Sequence, residues 1–165
     1  MRALFASCVF LSGVLMAQGP AWAVTIDIDI PTQRMEVKTA SGQTMSWKVS
    51  TARKGFVTPP GSYTPYSLQK MHYSRKYDMA PMPHSIFFHE GYAIHGTGSV
   101  AQLGRPASHG CIRLSPANAA QLFNIVKLEG ALITIHDAAS AKATLAAATR
   151  AEPSLDGWSL RTQTQ

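Results

Sequence analysis

The chain has 165 residues, 45% of them hydrophobic, and a formal charge of +6 at pH 7. That length supports one domain with a sizeable core and argues against two independent ones. The basic balance favours polyanionic surfaces or carboxylate-rich substrates, whereas lysines and arginines dispersed without any nucleic-acid-binding motif exclude nucleic acid as the partner.

In chain order, the N-terminus carries Arg2, the apolar run Leu4 to Met16, and small residues at Ala21 and Ala23 around Trp22, the layout of a cleaved export signal spanning 1–23. A permanent membrane helix needs about 20 apolar residues. This run is interrupted by Ser7, Ser12 and Gly13, so no stable transmembrane segment is expected after cleavage. The mature chain is expected to begin near Val24, with about 142 residues and a charge of +5 once Arg2 is removed. Cys8 leaves with the signal, which makes Cys111 the one thiol of the exported protein and excludes an intramolecular disulfide.

Thr25 to Ile30 alternates isoleucine with polar residues, the period of a strand with one apolar face, and Pro31 ends it. Arg34 to Lys38 returns as a second strand, Ser41-Gly42 turns, and Met45 to Ser50 alternates again. Two prolines and two glycines between Lys54 and Tyr63 predict a fixed loop before a short strand from Ser62. From Leu68 to His84, Lys70, His72, Tyr73, Arg75, Lys76 and Tyr77 precede Met79, Pro81, Met82 and Pro83, a composition that predicts an amphipathic loop over a pocket, with Tyr77 a substrate contact. Ser85 to Phe88 and Tyr92 to Ile94 read as short buried strands, the second carrying Tyr92 as another substrate contact and delivering His95 at its end. Gly96, Gly98 and Gly104 let the chain turn back before Ser108. Ser115 then caps a helix opened by Pro116, with Ala119, Leu122, Phe123 and Val126 on its buried face. Glu129-Gly130 ends that helix and Leu132 to Ile135 forms a closing strand. The catalytic body is thus 24–137, followed by a peripheral segment, 138–165, made of an alanine-rich helix and a mobile tail.

The segment Ser108-His109-Gly110-Cys111-Ile112-Arg113-Leu114, with His95-Gly96 sixteen residues before its cysteine, brings a thiol, two imidazoles and glycine backbone to one carbonyl. Cys111 is the candidate nucleophile and His95 its general base and proton donor, and the Gly96 carbonyl is the candidate orienter of the other imidazole nitrogen. Backbone N–H groups at Gly110 and Cys111 are candidate oxyanion donors, and His109 either fixes the loop or adds positive potential. Arg113 offers a planar fork to a substrate carboxylate, and Ser108 lies within the same substrate-contacting segment. His72, His84, His89 and His136 are weaker candidates, and no helix pairs two histidines with a glutamate as a zinc peptidase would. Ser85, Ser108 and Ser115 do not stand in a Ser-x-x-Lys pattern, which argues against a penicillin-binding serine nucleophile.

Ile94-His95-Gly96-Thr97, Ser108 to Leu114 and Thr58-Pro59-Pro60-Gly61 together resemble the L,D-transpeptidase catalytic domain, also called YkuD, over roughly Val24 to Asp137. The resemblance implies a mostly β, sandwich-like fold with a short helix after the catalytic cysteine. It further implies a Cys111 acyl-enzyme formed on a peptidoglycan tetrapeptide donor, release of the terminal D-alanine, and transfer to an amine acceptor from a second stem or an envelope protein, in the periplasm and without a cofactor or metal. His95 matches the family's base, the Gly96 carbonyl its orienter, His109 a site residue and Arg113 a substrate-recognition position where many relatives carry asparagine. With water as acceptor the same nucleophile is an L,D-carboxypeptidase or amide hydrolase, and without turnover the domain is a peptidoglycan-binding module.

Overall fold

The computed structural model describes residues 24–140, 142 and 143, so the expected export signal and tail lie outside the described residues, as does most of the alanine-rich segment. Thr25–Asp29 (β1), Arg34–Lys38 (β2) and Thr44–Lys48 (β3) follow the period-two pattern as an antiparallel meander. Ile26, Ile28, Met35 and Val37 are fully buried on one face. Gly61–Tyr63 (β4) is the short strand after the proline-rich loop.

Leu68 to His84 differs from the expected loop. It forms most of a hairpin, Ser67–Ser74 (β5) against Ala80–His89 (β6). Pro81 and Pro83 lie inside β6, opposite Tyr73 and Met71. They are tolerated because the next strand, Tyr92–Gly96 (β7), pairs with β6 only from Ile86 onward, leaving the proline segment with a single neighbour. The hairpin tip closes with the Ala80 N–H donating to Tyr77 O at 2.8 Å. Asp78 and Met79 both have positive φ there, at the centre of the Tyr77-to-Ala80 turn that ends the five-residue connection from Ser74 to Ala80.

A 3₁₀ turn at Val100–Gln102 interrupts the long connection to Ile112–Leu114 (β8). The helix Pro116–Glu129 (α1) has Ser115 as its cap, the Ser115 hydroxyl accepting the Asn118 N–H at 3.2 Å, and it buries Ala119, Leu122, Phe123 and Val126 as expected. Leu132–His136 (β9) then runs parallel to β1 and antiparallel to β4. At 137 the Asp137 carboxylate accepts the Ser140 N–H and caps a helical turn at 138–140.

The result is a sandwich of a five-stranded sheet, β3-β2-β1-β9-β4, and a four-stranded sheet, β5-β6-β7-β8. α1 packs on β6 and β7. One apolar core joins Ile26, Ile28 and Ile133 of the first sheet to Ile86, Ile94, Ile112 and Leu114 of the second and to Leu122 of α1. Residues 50–52 bridge to Arg113 and Ser108, so the chain leaving the first sheet binds the far edge of the second.

Candidate active site

β7 and β8 pair in parallel with His95 opposite Arg113 and Ile94 opposite Ile112. Matched residues of a parallel pair project to the same face, and residues two apart share it. Ile94 and Ile112 enter the core, which sends His95 and Arg113 to the opposite face together with Ala93 and Cys111. There Cys111, free and partly exposed, packs on Met82, Phe87 and Ala93. Cys111, His95, His109, Arg113, Tyr77 and Tyr92 all line one cleft of about 930 Å³.

His95 is 6% exposed, and its Nδ1 lies 2.8 Å from Gly96 O. A carbonyl only accepts, so Nδ1 carries the proton and Nε2 is left as the bare, basic nitrogen. Burial drives the imidazole down from 6.5 to about 4, outweighing the Gly96 bond that favours the charged ring, with the charges of Arg113 and His72 lowering it further. Burial likewise raises the Cys111 thiol above its ordinary value, opposed in part by the Ala93 N–H and the Arg113 guanidinium. The resting pair is therefore a neutral thiol and a neutral imidazole. Gly96 itself is fixed by space: a side chain there would meet Pro83 Cγ at 3.1 Å and Ala119 Cβ at 3.3 Å, where β7 passes the start of α1.

The loop before Cys111 is held by its own buried polar groups. The Ser108 hydroxyl, fully buried, donates to Cys111 O at 2.6 Å and accepts the Gly110 N–H at 3.0 Å. Gly110 O accepts from Thr58 Oγ1 at 2.8 Å, and Thr58 Oγ1 also receives the Ala52 N–H. Both backbone groups of Gly110 are thus engaged inside the loop. Its φ of 130° is a left-handed value, and a side chain there would strike the Tyr92 ring and lie 2.8 Å from Val57 O. Behind it, Thr51 O accepts the N–H groups of Ala107 and Ser108, while the side chain of Gln33 both accepts the Thr51 N–H at 2.9 Å and donates to Thr51 Oγ1 at 2.6 Å.

His109 is aromatic in its contacts. Its ring stacks on Tyr77 at 4.3 Å and 14° and meets the edge of Phe56 at 4.6 Å. Burial, then the charges of Arg53, Arg113 and Lys76, lower its pKa. Arg113 Nη1 donates to Gln102 Oε1 at 3.3 Å.

Sequence reasoning ranked His72 low, yet it lines the cleft and bears electrostatically on His95. Of the other histidines, His89 pairs with Glu90 and His136 with Asp27, and His84 stands edge-on to Phe123. Gln33, Thr51 and Thr58 were not foreseen as parts of the site. Only Thr58 carried a signal, through its place before two prolines. Among the described residues no group of three or more His, Cys, Asp or Glu side chains is placed to hold a metal ion, and no helix is long and apolar enough to cross a membrane.

Residues 23–146 match the family described as the L,D-transpeptidase catalytic domain, YkuD. Among solved structures the chain is similar to an L,D-transpeptidase from Mycobacterium tuberculosis H37Rv, with TM-score 0.64 and 22% identity over 69% of this chain and 57% of that one. It is similar to one from Stackebrandtia nassauensis, with TM-score 0.62 and 24% identity over 76% of this chain and 61% of that one. A third, from Xylanimonas cellulosilytica, gives TM-score 0.59 and 26% identity over 69% and 60%. The chain spans about three fifths of the length of these solved chains. Comparison with curated proteins finds no match.

Proposed function

The chain belongs to the L,D-transpeptidase catalytic-domain family, YkuD, and from that membership we propose a specific reaction: Cys111 takes the acyl group of a peptidoglycan tetrapeptide, releases the terminal D-alanine, and passes the acyl group to an amine. The observation that carries this reading is a free thiol on the same sheet face as an imidazole whose Nδ1 is held by Gly96 O.

As Sγ bonds to the donor carbonyl carbon, its proton passes to Nε2 of His95, and the carbonyl π pair moves to oxygen. Collapse of the tetrahedral intermediate breaks the C–N bond to D-alanine, and the imidazolium returns the proton to the leaving amine. In the second half the acceptor amine gives its proton to Nε2 as it attacks the thioester, and Sγ leaves, taking the proton back from the imidazolium and restoring the neutral pair. Because the Gly110 N–H already donates to Ser108 Oγ, the oxyanion role expected at Gly110 is reassigned to the Cys111 N–H, next in the chain. Ser108, expected as a substrate contact, is reassigned to holding the loop, since its hydroxyl is engaged at both ends. His109 takes the loop-fixing role through its ring contacts. Arg113 presents its remaining guanidinium donors to a substrate carboxylate. Tyr77 and Tyr92, on the cleft walls, contact the stem peptide.

The domain division at 24–137, the export signal and a periplasmic location are part of this proposal, as is an acceptor drawn from a second stem or an envelope protein. Analysis of small products tests it: a disaccharide-tetrapeptide should yield free D-alanine, and a crosslinked product when an amine-bearing stem is added. Hydrolysis to the tripeptide, with no joined product at saturating amine, would replace transpeptidation with carboxypeptidation.

A further inference from the structure

Among the described residues the cations around the cleft have no acidic partners: both ion pairs use histidine as the cation, and none of the described arginines or lysines is paired with a described carboxylate. Arg75, Lys76 and Arg113 line the cleft, and the one carboxylate on its wall, Glu90, lies 3.8 Å from His89 Nε2. A basic cluster without counter-ions repels itself and persists where a ligand supplies the opposite charge.

Two of the cations are also organised. Arg53 sits over the Phe56 ring at 4.9 Å and Lys76 over the Tyr77 ring at 5.6 Å, and both rings contact His109, Phe56 edge-on and Tyr77 stacked. Arg53, Phe56, His109, Tyr77 and Lys76 thus form one continuous chain of ring contacts joining the proline-rich loop, the cysteine loop and the hairpin tip. It holds two charges near the residue two positions before Cys111, and the third, Arg113, two positions after Cys111, is held by Gln102. Clustered cations of this kind favour a carboxylate over a neutral amide of the same shape, because the amide leaves their mutual repulsion unrelieved.

We infer that Arg53, Lys76 and Arg113 form a carboxylate subsite around His109, and that the enzyme selects stem peptides with a free side-chain carboxylate over those in which that carboxylate is amidated. This rests on the peptidoglycan-acyltransferase reading and names the substrate subclass of the same site. The carboxylate belongs either to the donor or to the acceptor stem.

The test uses mature protein and stem peptides identical except for carboxylate or carboxamide at that position. Acylation of Cys111, followed by intact mass, isolates the donor, and transfer from a preformed acyl-enzyme isolates the acceptor. At low salt at least one arm should favour the free carboxylate about tenfold in rate constant over concentration. The preference should shrink as the screening length falls from about 30 Å to about 3 Å with added salt, and in R53Q/K76Q the acid-to-amide ratio should fall toward one. Equal rates in both arms, or a preference untouched by salt and by the double variant, overturns the inference while leaving the acyltransfer reading intact. Failure of every donor to acylate Cys111 overturns that reading as well. Should R53Q/K76Q not fold, judged by its thermal midpoint, the wild-type salt dependence decides.

Discussion

The chemistry at Cys111 turns on two opposed solvation effects at neighbouring residues. Burial pushes the thiol up and the imidazole down to about 4, so the pair rests uncharged, and in the proposed reaction the proton moves as the carbonyl arrives. A base held low remains competent in acid. The acylation rate should therefore stay level as pH falls through 6.5 and drop by half only near 4, the value to which His95 is held. Rapid-mixing acylation followed by mass spectrometry checks this, and a half-loss near the ordinary histidine value contradicts it. Cys111 and His95 were legible in the sequence as candidate nucleophile and base. The direction of their pKa shifts was not, because it depends on Met82, Phe87 and Ala93 closing around Cys111 from other strands.

Among the elements, the β5–β6 hairpin decides how the cleft is covered. Its tip is held over the cysteine loop by Tyr77 stacking on His109, a contact of about 0.5–1.5 kcal/mol. Tyr77→Ala should lower the thermal midpoint by only about 2–8 °C, speed amide exchange at residues 75–79, and lower acylation by roughly 3- to 10-fold, while Tyr77→Phe keeps the stack and most of the rate. Unchanged exchange at the tip would show that the stack does not hold it. This hairpin was the element least legible in the sequence. Its strands lack clean alternation, β6 contains Pro81 and Pro83, and its turn uses Asp78-Met79 where an Asn-Gly or Asp-Gly pair would have announced it. By contrast, β1 to β3 and α1 were readable because each buries one face of a regular period. β8 has only three residues and exists through its parallel pairing with β7.

At the scale of the whole molecule, the loop that carries Cys111 is held from the opposite sheet. Thr58 bonds Gly110 O across 52 residues of sequence, Thr51 O accepts the Ala107 and Ser108 N–H groups, and Gln33 braces Thr51 from 18 residues before it, which is why no local pattern announced them. The same fold couples stability to the state of His95. Unfolded, this histidine binds a proton below 6.5, and in the native protein only below about 4. Between those values the unfolded state holds more protons, so stability falls as pH drops through that window, by on the order of 3 kcal/mol in all. Asp137, held below 3.8 by Ser140, titrates beneath it. Urea unfolding across the window should show a steeper acid loss in wild type than in His95→Gln, and parallel curves would contradict the assignment.

The measurement that bears most directly on the reaction is the intact mass of the mature protein mixed with disaccharide-tetrapeptide, beside its Cys111→Ala variant. The expected result is a wild-type adduct equal to the donor minus D-alanine, absent from the variant. A wild-type protein that gains no mass, or a variant that gains the same adduct, contradicts Cys111 as the acyl-carrying nucleophile.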